Sequence, residues 1–274
     1  MPMSPPVSPS FRLRPQRRRF NTTLLGLALG LLSGPAARAQ GPGRPIDKLG
    51  IFSLLGDGLQ ITLPGVITDS RLDRNLRETL PAKDIGFDQA ALRAVTEFMR
   101  AQRPAARLEM YRATTPLSLA DQRAVAEGAT RAELPAWIIE AIERAKLSHI
   151  LLITRHRGDA SFMVQDGYSV GRGAVEGIGF YLDSDTEVKN SETGLNSQGF
   201  LGAYTMMRLQ LMEVATGNII GSQDIRASQM YAGRRDTEAA NVWNALTPTE
   251  KVQALRDLIE RNLARVLPQV MARA

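Results

Sequence analysis

Acid–base or metal chemistry in this 274-residue chain would have to start from two histidines, His149 and His156, because there is no cysteine. The two stand seven residues apart at the ends of one strand-like run, and an odd separation on a strand points side chains to opposite faces. One metal ion cannot take both, and no second or third ligand stands near either. Asp183, Asp185 and Glu187 alternate as carboxylates do in calcium loops. The sixth position of that stretch is Val188 and the twelfth Gly194, where a helix–loop–helix calcium site needs Gly and a bidentate Glu. The three acids stay as candidates for a cation site of another loop geometry. Arg155, Arg157 and Arg172 form a candidate anion cluster, since guanidinium groups match phosphate and carboxylate oxygens; the alternative is ordinary solvated charge. Gly171, Gly173, Gly177 and Gly179 have the wrong spacing for a dinucleotide loop, and a strand rather than a helix follows them. They read as a bend, a bulge or a close backbone approach.

Nucleophilic chemistry fares no better. Gly56-Asp57-Gly58-Leu59 is similar to the nucleophile block of GDSL hydrolases, in which a Ser follows the Asp, but here that place is Gly58. That family also places its Asp and His near the C-terminus, whereas both histidines of this chain lie mid-sequence. No residue is therefore expected to be catalytic, and no cofactor is expected. Trp137 and Trp243 fit packing and interface roles equally and identify no ligand.

Charge separates the chain into two parts. Residues 1–39 hold six arginines and no acid, so that from Gln40 onward 28 basic residues face 28 acidic ones. A balanced body of this kind lacks the basic stripe that binding to a phosphate backbone requires, and no nucleic-acid partner is expected. The basic part reads as a cleavable export signal: Arg17-Arg18-Arg19-Phe20, a short apolar run over residues 24–32, then Ala37-Arg38-Ala39 as a small-x-small cleavage site. Arg17, Arg18 and Phe20 resemble a twin-arginine signal, although Gln16 stands where a small hydroxyl residue is usual; a Sec signal is the alternative. Cleavage after Ala39 implies a periplasmic location, no membrane span in the mature chain and, without an N-terminal Cys, no lipid anchor.

The elements that position these residues follow from periodicity. Residues 40–48 form a Gly/Pro-rich spacer, and residues 49–274 read as one α/β domain. Leu49 to Leu55 is a buried strand that should enter a hairpin at Gly56-Asp57-Gly58. Asp88 is the expected N-cap of a helix that ends near Gln102. A strand follows over residues 107–111, then helical segments from Leu119 and from Pro135, then the strand His149 to Thr154. Asp166-Gly167 marks a hairpin between residues 161–165 and 168–170. Strands over residues 175–183 and 203–214 are separated by a polar loop, 184–198, and a further strand over 219–227 precedes another loop, 228–245. Thr247-Pro248-Thr249-Glu250 is a capping box that opens a C-terminal amphipathic helix. The order is β-α-β-α-β, then antiparallel hairpins, then a helix packed on a mixed sheet.

The strand from Arg208 to Val214, continued by Ala215-Thr216-Gly217-Asn218-Ile219-Ile220, resembles the sheet-closing hairpin of the CsgG, LpoB and TolB N-terminal group, with Glu213, Thr216, Gly217 and Asn218 in the motif places. The resemblance covers about a third of the body, and many members of that group carry the N-terminal lipidated Cys that this chain lacks. It implies an exported, non-enzymatic envelope domain that binds an envelope protein or itself. The competing expectation is a periplasmic enzyme or small-ligand-binding protein whose site is borne on the two loops, 184–198 and 228–245.

Overall fold

Both edges of the first strand are already occupied, and this decides the course of the chain. The computed structural model describes residues 44–56, 58–65, 75–81, 85–115, 117–128, 133–164, 167–189, 196–232 and 242–272, all within one compact unit. Residues 1–39, read above as an export signal, the start of the spacer, Asp57 and Asp166 lie outside the described residues. β1 (Lys48–Ser53) pairs in parallel with β4 (Arg107–Arg112) on one side and β5 (His149–Arg155) on the other. β2 (Gly58–Leu63) therefore cannot fold back on β1 as the Gly-Asp-Gly turn signal suggested. It pairs instead in parallel with β10 (Ile178–Lys189) and antiparallel with β3 (Leu76–Pro81).

The sheet is built around β11 (Asn196–Glu213), an 18-residue strand. One edge of β11 pairs over residues 200–212 with β12 (Ile219–Ala232). The other edge pairs with β10 over residues 196–205 and with β5 over residues 207–213, so β5 and β10 abut end to end opposite Met206. β1 and β2 run beside β5 and β10 in the same direction. The hairpin read at residues 56–58 is thus a break in a straight path, and Gly56 takes φ 62° there.

At this seam a small arm leaves the sheet: β6 (Arg157–Asp159) pairs with β9 (Ala174–Glu176), and β7 (Phe162–Met163) with β8 (Ser169–Val170). Gly177, at φ 64°, splits the single strand expected over 175–183 into β9 and β10. Its N–H donates to His156 O (2.9 Å) and its carbonyl accepts from Met206 N (2.6 Å).

Helices cover both faces. α1 (Phe87–Gln102) and α4 (Pro248–Met271) enclose the larger core with Leu49, Ile51, Ile153, Leu209 and Leu211. α2 (Leu119–Glu127) and α3 (Ala136–Ala145) cover the opposite face at β1 and β5, where Trp137 packs on Phe52. The arm covers that face over β10 and β11, with Phe162, Tyr181 and Phe200 in contact. Trp243 packs edge-on against Phe180 with Lys251 over its ring, so both tryptophans are packing residues.

Two local readings need correction. Asp88 does not cap α1: Gly86 is the N-cap, and the buried Asp88 carboxylate accepts from Ser53 Oγ (2.5 Å), Leu55 N (3.0 Å) and Gly56 N (3.2 Å). The donors stranded where β1 ends outcompete the helix terminus, because a buried acid must find partners. The polar stretch 184–198 is not a loop at its ends either. β10 runs to Lys189 and β11 starts at Asn196, with a bulge between Asp183 and Glu187; β12 likewise extends to Ala232, into the second expected loop.

The capping box of α4 is formed. Thr247 N donates to Glu250 Oε2 (2.7 Å), and Glu250 N to Thr247 Oγ1 (3.3 Å). Thr247→Ala should lower the unfolding free energy by about 1 kcal/mol, measured by urea denaturation.

Candidate functional site

Among the described strands β4 is an outer strand of the sheet and pairs with β1 alone. Arg107 N donates to Asp47 O (3.0 Å), which turns the backbone groups of Arg107, Glu109 and Tyr111 toward β1. The alternation of a strand then turns the N–H and C=O groups of Leu108, Met110 and Arg112 outward, toward an edge that no described strand occupies. Open edges of this kind accept an added strand. Beside the edge lies a groove of about 880 Å³ between α1 and β4, lined by Leu92, Thr96, Glu97, Arg100, Met110 and Arg112 among others. Met110 is 55% exposed and its sulfur accepts from Thr96 Oγ1 at 3.4 Å. Arg93 of the same wall is paired with Glu260, whereas Arg100 and Arg112 have no acid within ion-pair distance among the described residues. The groove thus carries Leu92 and Met110 together with Arg93, Arg100 and Arg112 against Asp88 and Glu97.

A second cavity, about 350 Å³, sits over the seam between α2 and the arm. Its walls carry Arg123 and Glu127 from α2, Arg155, His156 and Arg157 from the β5–β6 segment, Glu176 from β9 and Arg208 from β11. The structure thus brings Arg155 and Arg157 of the expected anion cluster together, but not Arg172, which is not part of the cavity wall. Arg172 instead bonds through its backbone N to Tyr181 Oη (3.0 Å) and through its carbonyl to Asn75 Nδ2 (2.7 Å). Arg155 also has a structural duty. Its Nε donates to Leu55 O (2.5 Å) and its Nη2 to Gly58 O (2.7 Å), carbonyls at the break between β1 and β2. Arg123 and Arg208 were missed from the sequence because they come from a helix and a strand far from residue 155; no local spacing could have joined them.

Two of these arginines are tied to acids. Arg208 holds Asp224 in a two-point pair, Nε–Oδ1 2.6 Å and Nη2–Oδ2 3.1 Å, and Arg157 Nη1 lies 3.1 Å from Glu176 Oε1. Burial pushes the Asp224 carboxyl up, but Arg208, His156 and Arg226 outweigh it and hold it below the usual range. His156 Nε2 is 3.3 Å from Asp224 Oδ2 without hydrogen-bond alignment. Burial lowers its pKa, as do Arg208, Arg226 and Arg123, while Asp224 opposes them. His156 is accordingly neutral at pH 7, and the contact is not an ion pair.

Of the three cation candidates, Asp183 is spent on local donors. Asp183 is buried; its Oδ1 accepts from Asp185 N (3.0 Å) and Thr186 N (2.9 Å), and its Oδ2 from Thr186 Oγ1 (2.8 Å). The three acids fall at the bulge of β10, which lies between Asp183 and Glu187, and among the described residues no group of three or more His, Asp or Glu is placed to hold a metal ion. Glu213, Thr216, Gly217 and Asn218 close the β11–β12 turn: Thr216 Oγ1 donates to Glu213 Oε2 (2.7 Å) and Gly217 N to Glu213 O (2.9 Å).

His149, at the far end of β5, is fully buried, with Nδ1 3.1 Å from Ser148 Oγ and Nε2 without a partner. Burial lowers its pKa, as does Arg103, against the opposing charges of Glu213 and Asp47. Both histidines thus resist protonation when folded, while the unfolded chain takes up protons near pH 6.5. Stability is full above about pH 6.5 and falls as pH drops toward the lower folded values. Urea denaturation between pH 7 and 5 should show this loss, and a His149→Gln, His156→Gln double variant should flatten it. An unchanged slope in the double variant would exclude the histidines as its source.

No family model matches the chain, and the comparison with curated proteins finds no match. Solved structures give distant likenesses. A neuraminyllactose-binding hemagglutinin homolog from Helicobacter pylori is 11% identical at a TM-score of 0.33, covering 81% of this chain and 82% of that one. A Xanthomonas campestris protein of family DUF330 is 10% identical at 0.32, covering 83% and 87%. A hypothetical protein from Chlamydia trachomatis is 11% identical at 0.29, covering 82% and 99%.

Proposed function

We propose that this protein is an exported, periplasmic, non-enzymatic envelope domain of the CsgG, LpoB and TolB N-terminal kind, which binds another envelope protein by adding an extended segment of it to β4. The observation that carries the reading is the open edge of Leu108, Met110 and Arg112 beside the α1–β4 groove. An added strand would satisfy those outward backbone groups and lay alternate side chains into the groove, against Leu92 and Met110. Arg100 and Arg112, which make no ion pair among the described residues, favour a segment that places an acidic residue beside them. Export rests on the arginine-rich leader, and the charge-balanced body speaks against a nucleic-acid partner. Among the described residues no helix is long and apolar enough to cross a membrane.

The test is a photo-crosslinking residue placed at Met110 in the expressing cell, with a second placed at the exposed Glu250 on the opposite end of the sequence as control. A single envelope protein captured from position 110 alone is the expected result. Crosslinked copies of this chain would make the partner the protein itself. Equal labelling from both positions, or cytosolic recovery of the chain uncut ahead of Gln40, would sink the proposal. Export itself is checked by Arg17→Lys with Arg18→Lys, which should block a twin-arginine route and leave a Sec route working.

A further inference from the structure

The seam cavity is distinct from the β4 edge and does not depend on partner binding there. Its walls are held in place from several sides. α2 is fixed over the sheet by Gln122, whose Oε1 accepts from Arg155 N (2.7 Å), and by Ala126 O, which accepts from Gln210 Nε2 (2.8 Å). Asp224 orients Arg208, Glu176 orients Arg157, and the carbonyls of Leu55 and Gly58 orient Arg155. Arg123 faces them from α2 and has no acid within ion-pair distance among the described residues.

Four guanidinium groups line this space against two carboxylates, Glu127 and Glu176. Asp224 lies behind Arg208 and is offset by Arg226 at 4.0 Å. Arg123 borders this open volume with no acid within ion-pair distance among the described residues, so the cluster keeps a guanidinium available to an anion. A phosphate group near neutral pH carries a charge of about −1.5 to −2. Guanidinium forks suit its oxygens, and a cavity of about 350 Å³ admits the group with a short ester.

We infer that the seam cavity binds a phosphate group, with Arg123, Arg157 and Arg208 as its donors. The fixed arginines form the floor, and Arg123 closes on the anion from the helix side.

Calorimetric titration of the full-length chain in chloride buffer at constant ionic strength tests this, with inorganic phosphate and glycerol 3-phosphate as probes. Saturable one-to-one binding of at least one probe is expected. Arg123→Gln should weaken it about tenfold or more, since a charge-assisted contact is lost. Arg123 is exposed and makes no contact that the fold needs, so this variant should melt as the parent does. Arg100→Gln, in the α1–β4 groove, should bind as the parent does. Tighter binding of the ester identifies a phosphorylated small molecule or headgroup as the natural source, and tighter binding of the inorganic ion identifies free phosphate. Absence of saturable heat with both probes, parental affinity in Arg123→Gln, or equal loss in Arg100→Gln would each overturn the inference. None of these results bears on crosslinking at Met110.

Discussion

Arg155→Met is expected to destabilise the protein by about 3 kcal/mol, because a buried acceptor left without a donor costs about 1–3 kcal/mol and two would be stranded. The acceptors are Leu55 O and Gly58 O, which flank the break between β1 and β2 and receive Arg155 Nε and Nη2. Methionine keeps much of the apolar stem while removing the donors, so the loss reports hydrogen bonding more than packing. Arg157→Met is the comparison: its side chain is 43% exposed and pairs with Glu176, a contact expected to contribute less than about 1 kcal/mol. Urea unfolding of both variants decides the matter. Equal losses would mean that Arg155 does not brace the seam.

Gly179→Ala should be at least as damaging, at about 3 kcal/mol or more. In the parallel register Gly179 faces Gln60, and a Cβ built on it would lie 1.9 Å from Gln60 O and 2.7 Å from Gln60 C. Those are backbone atoms of the paired strand, so relief requires β2 to move away from β10, taking β3 with it. Hydrogen exchange should then show the β2 amides losing protection ahead of those in β1 and β5. At Gly158 the nearest atom to an added Cβ is the Met206 sulfur, 3.1 Å away at the end of a flexible side chain, and Gly158→Ala should cost under about 1 kcal/mol. Intact β2 protection in Gly179→Ala would show that the sheet absorbs the methyl group elsewhere.

Legibility in the sequence divides along the distance over which each interaction acts. The α4 capping box and the Glu213–Asn218 turn are spelled within a few neighbouring residues, and both stand as read. The mixed α/β class, the strand His149 to Thr154 and the end of α1 at Gln102 follow from periodicity of the same short range. Gly56-Asp57-Gly58 misled because its local grammar is that of a reversal. What prevents the reversal is the occupation of both β1 edges by β4 and β5, from 50 to 100 residues downstream. Asp88 sits where a cap belongs, yet it answers the donors of Ser53, Leu55 and Gly56, over 30 residues upstream. Polarity marked 184–189 as loop; pairing with the start of β11 and the Asp183 bulge make it strand. For the sites, Arg155 and Arg157 were visible as neighbours, but their companions Arg123 and Arg208 are brought in by the seam, and β4 could be read as a strand without any sign that it would be left at the rim.

β11 passes the seam without interruption, and β12 follows it along almost the whole of its length. Neither half of the sheet can lose its order without exposing one flank of the same two strands. The folded body should therefore melt cooperatively, in one transition and not as two independent lobes, despite the discontinuity between β5 and β10.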